Sequence, residues 1–292
     1  FAALTGTAVA TAATPADMPE NSWLTLPGTK LDAVQADPSQ YPDLQGNGFY
    51  TIVGAWNRAV LDTKRMRLVI WGGGHNDYYG NEMYAFDIAT STWSRLTDPT
   101  ENWSDCSDTN ADGTANSRHT YNGMAYLEHV DRFWVSGGAL NCTSGACGAE
   151  PTWAFDFDTT TWQNMQPAGS HTTGCENNAA YDPATERVYF GDAGGLYSYS
   201  YDDNAWTKHN DDNIYAMTST VDTKRGMLVM VGSGNVFAYA IGAQDFTQQV
   251  WTTTGGDALV EKGSPGLAYD PTTDRIVGWA GGPVYVLDPE TK

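Results

Sequence analysis

The chain has 292 residues, 31 of them glycine and 12% aromatic, a mixture that favours an all-β protein rich in turns. Asp and Glu total 35 against 15 Lys and Arg, a formal charge of -20, which excludes nucleic acid and anionic membranes as partners because such a surface repels them. No run approaches the roughly 20 apolar residues that a membrane-spanning helix needs.

Residues 1–20, "FAALTGTAVATAATPADMPE", are small and uncharged as far as Asp17. Two readings stand: the tail of a signal peptide with a disordered leader, or a strand that pairs with the sheet edge of another subunit. Four cysteines and two sequons, at Asn102 and Asn141, fit a secreted or cell-surface chain with disulfides.

From residue 21 to 292 the sequence reads as one β-propeller domain, because a unit recurs along it. "AVLDTKRMRLVIWGGG" and "MYAFDIATSTW" span 59–93, and "MAYLEHVDRFWVSGG" and "TWAFDFDTTTW" span 124–162. Related units cover 179–206, 219–251 and 267–292. Each predicts short strands of alternating polarity, and four strands per unit at this period define a propeller blade. Five blades are readable, and six or seven would follow from a longer natural chain. The last unit stops before its fourth strand, and "NSWLTLPGT" at 21–29 matches "STWSRLTDP" at 91–99. An N-terminal strand is therefore expected to close blade five, since an unclosed blade exposes an edge.

The double glycines Gly72–Gly73, Gly137–Gly138 and Gly194–Gly195, with Tyr84, Tyr197 and the blade-end Trp93, Trp162, Trp206 and Trp251, resemble the Kelch-type propellers, a superfamily that includes the galactose-oxidase-like propellers. The resemblance spans the chain from about residue 50 and implies the fold; it implies no particular function, because the scaffold is widely reused. Blade four departs from the pattern with "GSG". The copper ligands and Tyr–Cys cofactor of the oxidase have no counterparts that can be placed.

Alternating strand direction puts the second-to-third-strand loops and the inter-blade connections on one face. His75 falls in the first kind of loop. Arg118, His119 and Tyr121 fall at the connection from blade one to two, His171 at the next and His209 at the one after, whereas His129 belongs to the opposite face. The cysteines share the loop face: Cys142 and Cys147 are spaced for a local disulfide, and Cys106 and Cys175 lie in adjacent loops that allow a bridge. Zinc held by His171 and Cys175 is the alternative. In "DTNADG", Asp108, Asn110 and Asp112 alternate before Gly113, as in the first half of an EF-hand-like Ca²⁺ loop, with His119 where the twelfth-position acid would stand.

His75, Arg118, His119 and Tyr121 are also the residue types a polysaccharide lyase uses: Arg neutralises a uronate carboxylate while Tyr or His moves the C5 proton. In architecture the chain is similar to propeller-shaped ulvan lyases. Against that stand the net charge and a purely structural reading of "GGGHNDYYGNE". Three functions follow as expectations. The first is an extracellular module binding a glycan or a protein through its aromatic loop face. The second is a subunit of an extracellular assembly or filament joined through the N-terminal strand, and the third is a glycan-active enzyme.

Overall fold

The computed structural model describes residues 25–292 apart from 45, 144, 145, 149, 150, 173 and 244. The expected leader, 1–20, lies outside the described residues, as do 21–24 of the expected closing strand. Blade one comprises β1 (Ala59–Asp62), β2 (Arg67–Trp71), β3 (Met83–Asp87) and β4 (Thr92–Arg95). Beyond it, β5 (Arg118–His119) begins a small side sheet. Blade two is β6 (Met124–Leu127) and β7 (Arg132–Ser136), then, after β8 (Ala139–Leu140) and β9 (Ala146–Cys147) of the side sheet, β10 (Thr152–Asp156) and β11 (Thr161–Asn164). Blade three is β12 (Asn178–Asp182), β13 (Arg187–Asp192), β14 (Gly195–Ser200) and β15 (Ala205–Asn210). Blade four is β16 (Thr218–Asp222), β17 (Met227–Gly232), β18 (Asn235–Ala240) and β19 (Gln249–Val250). Blade five has β20 (Gly266–Asp270), β21 (Arg275–Trp279) and β22 (Val284–Leu287). The chain is an all-β, five-bladed antiparallel propeller; its two α-helices among the described residues, Thr51–Gly54 and Asp257–Val260, are single turns.

Period-two alternation gives each blade two faces, and apolar faces bury each other between neighbours. Val60, Val69 and Trp71 of blade one pack on Phe133, Trp153 and Phe155 of blade two, and equivalent layers join blades two to three, three to four and four to five. The turn between first and second strands needs one left-handed residue, supplied by Met66, Asp131, Glu186, Gly226 and Asp274 in successive blades. Two of these aspartates also pin blades together. Asp131 of blade two accepts Lys64 and Arg65 of blade one, and Asp274 of blade five accepts Lys224 and Arg225 of blade four.

Blade one's other face packs not on blade five but on the segment before it, where Leu31, Leu44, Phe49 and Ile52 cover Ile70 and Tyr84. The described part of the expected closing strand, 25–29, is coil and turn. It lies on blade one, where Trp93 Nε1 donates to the Thr29 carbonyl at 2.9 Å.

Candidate functional site

Three places gather chemistry. The first is the glycine-rich loop. An added Cβ at Gly74 would overlap the Arg118 backbone, and one at Gly138 would overlap the His119 carbonyl. The glycines therefore let β2 and β8 close onto β5. Gly73 N donates to Arg118 O at 3.1 Å and His75 N to Leu140 O at 3.2 Å. His75 itself is left-handed, at φ 52°.

That scaffold brings the His75 and His119 rings to 5.2 Å and the His119 and Tyr121 rings to 6.0 Å. His119 is buried, and its Nε2 shares a 2.6 Å hydrogen bond with Asp77 Oδ2. Burial pushes the imidazole's pKa down against the opposing pull of Asp77. Arg118 is wholly buried and serves the fold: its guanidinium lies 5.8 Å over Trp71 and donates to the carbonyls of Asn116 and Gly137. Burial lowers its pKa to about 10, with Asp108 opposing. A guanidinium so placed meets no incoming carboxylate.

The other expected sites separate. His171 is a core residue, sharing a 2.8 Å hydrogen bond with Ser136 Oγ and packing on Phe190 and Trp206. His209 lies in outer strand β15 and not in the connection beyond it, stacked on Phe246 at 4.0 Å. His129 is on the far face, bonded to the Tyr181 hydroxyl. Cys106 bonds to Cys142, so neither a Cys142–Cys147 loop nor a Cys106–Cys175 bridge forms; Cys106 N donates to Asn141 O at 3.0 Å, which brings the two loops together. Cys175 is also disulfide-bonded, which removes it as a zinc ligand.

The stretch of Asp108, Asn110 and Asp112 is a hairpin, with Asn110 N bonded to Thr114 O and Asn116 N to Asp108 O. Asn110 Oδ1 accepts from Ser104 N, Asp112 from Thr114 and Thr100, and Asp108 lies 3.7 Å from Arg118. Side chains committed to separate partners do not fit a calcium cage, which needs six or more converging oxygens.

The second place is the axial mouth. A residue two or three positions before each inner strand is left-handed: Trp56, Tyr121, Glu176, Ala216 and Ser264. Tyr121 N donates to Trp56 O at 2.7 Å and Ser264 N to Ala216 O at 2.8 Å, linking these residues around the ring. A cavity of about 120 Å³ opens there, lined by Trp56, Arg58, Tyr121, Asn122, Glu176 and Ser264, among others. The Trp56 and Tyr121 rings stand 6.3 Å apart, and Trp56 is 62% exposed. Burial, with Glu176 adding, pushes the Tyr121 hydroxyl up to about 12. Sequence reasoning found only Tyr121 here. The signal for the rest was one repeated register, two or three residues before each first strand, carried by residues of unlike type.

The third place is the outer side of blade five, where β22 pairs with β21 on one edge and with no other strand among the described residues on its outer edge. In blade two, the second residue of the outer strand, Trp162, packs on Trp71, Phe133, Trp153 and Phe155. Matching registers, Phe133↔Phe155 to Ile276↔Leu287, carry those four positions onto Val231, Ile276, Tyr285 and Leu287. All four line an apolar cavity of about 90 Å³ between blades four and five. Beside it Val286 is 62% exposed. No protein-family model matches this chain, and comparison with curated proteins returns no relative.

Proposed function

We propose that this chain is a secreted, Kelch-like, non-catalytic binding module whose partner is a protein strand, supplied by the N-terminal residues of a second copy, so that it acts as a subunit of an extracellular assembly. The observation that carries this is the outer position of blade five, which no strand among the described residues occupies. A paired edge would satisfy the free N–H and C=O groups of β22, and the socket over Val231, Ile276, Tyr285 and Leu287 has the place that a blade-end tryptophan fills elsewhere. Strand addition of this kind takes affinity from the backbone ladder and specificity from side-chain pockets. The sequence "NSWLTL" at 21–26 carries such a tryptophan, Trp23, in the setting of "STWSRL" at 91–96. Further apolar surface flanks the junction: Leu61, Leu68 and Ile88 on blade one, Trp279 and Val284 on blade five.

A lyase reading finds less support, because Arg118 is enclosed. Light scattering on the full chain tests the proposal. The wild type is expected to associate with rising concentration, while deletion of residues 1–24 and, separately, Val286→Lys give monomers. A wild type that stays monomeric at every concentration, or deletion mutants that associate equally, overturns it.

A further inference from the structure

The axial cavity belongs to no part of the assembly reading. It draws side chains from blades one, two, three and five, so it exists only because the ring brings distant segments together. Aromatic surface is normally spent on the core, yet Trp56 stands 62% exposed at its rim and Tyr215, 45% exposed, stands nearby beside Glu176. Exposed rings of this kind, gathered at a cavity, mark binding surfaces.

We propose that this cavity binds a neutral hexopyranose unit of an uncharged glycan. The choice follows from the charges that share the site. Arg58 lines the cavity and donates to the Ser264 carbonyl, while Glu176 lines it with an acidic side chain. A cationic ligand suited to the aromatic faces would meet the Arg58 guanidinium. An anionic sugar would meet Glu176 on a chain of formal charge -20. A neutral ring with equatorial hydroxyls uses all the groups: Trp56 and Tyr121 offer stacking faces, Glu176 accepts hydroxyl protons, and Arg58 and Asn122 donate. The backbone hydrogen bond from Tyr121 N to Trp56 O ties together the two main-chain positions that carry the rings, so only side-chain rotamers remain to be ordered on binding.

The test titrates the full chain with cellobiose, maltose, laminaribiose and chitobiose, following tryptophan fluorescence, with glucuronate and choline as charged probes. At least one neutral disaccharide is expected to give saturable change, weakened about tenfold or more by Trp56→Ala, a loss of the order of one stacking contact. Glu176→Gln is expected to weaken the same sugar less, and both variants should keep the wild-type far-UV spectrum. Binding of choline or glucuronate alone, no saturable response to any of the four sugars, or a response that Trp56→Ala leaves unchanged overturns the proposal. Should Trp56→Ala misfold, Tyr121→Ala read against the same sugar decides, with unchanged affinity counting against it.

Discussion

Gly74 holds φ +38° with the Arg118 backbone where its side chain would be, so the triple glycine is a packing device before it is anything else. Gly74→Ala is expected to destabilise by about 2 kcal/mol or more, since it combines a strained φ with a backbone clash; a melting temperature within a degree of wild type would show that the loop yields instead. His119 makes a second residue-scale prediction. Its folded pKa lies below the ordinary value, so its contribution to stability is present above the unfolded pKa of about 6.5 and is lost as pH falls through the folded one. His119→Asn should flatten the stability profile between neutral and mildly acid pH, measured by denaturant unfolding, and His209, lowered by burial too, contributes a slope of the same sign. The histidines were easy to find in the sequence, but their burial was not. Whether a loop histidine faces solvent depends on how closely two glycines let backbone approach, and neither composition nor spacing reports that.

The turns that join first and second strands carry more than their dihedral angles. The Arg65 and Arg225 guanidiniums hold Asp131 and Asp274 well below the usual carboxylate range. A depressed carboxylate stabilises above its unfolded pKa and loses that contribution as pH falls. Asp131→Asn should therefore lower the melting temperature more at pH 6 than at pH 2, by calorimetry at both values. These repeated turns were legible as repeats, because Asp-Thr-Lys-Arg recurs at 62–65 and 222–225. Their inter-blade reach was not, since the acceptor lies about 50 to 67 residues further on. The cysteine pairing failed in the same way. Spacing favoured Cys142 with Cys147, and loop adjacency Cys106 with Cys175, whereas the side sheet of β5, β8 and β9 draws Cys106 to Cys142 across a separation of 36 residues. Closing a loop of that length is worth about 3–4 kcal/mol.

For the molecule, the blade count and the identity of each blade's strands were readable from periodicity, because the first three units set Trp93, Trp162 and Trp206 at one offset from the third strand and all five repeat a paired-strand core. The axial mouth was not readable: its residues are singletons that only closure of the ring places together. Blade five shows both sides of this. The sequence points to a missing fourth strand, while residues 25–29 rest against Trp93 on blade one, a placement fixed by tertiary packing. A sheet edge that no described residue covers has a thermodynamic corollary. If another molecule pairs with β22 there, resistance to heat becomes a property of the population, and a dilute sample should melt at lower temperature than a crowded one, by mass action.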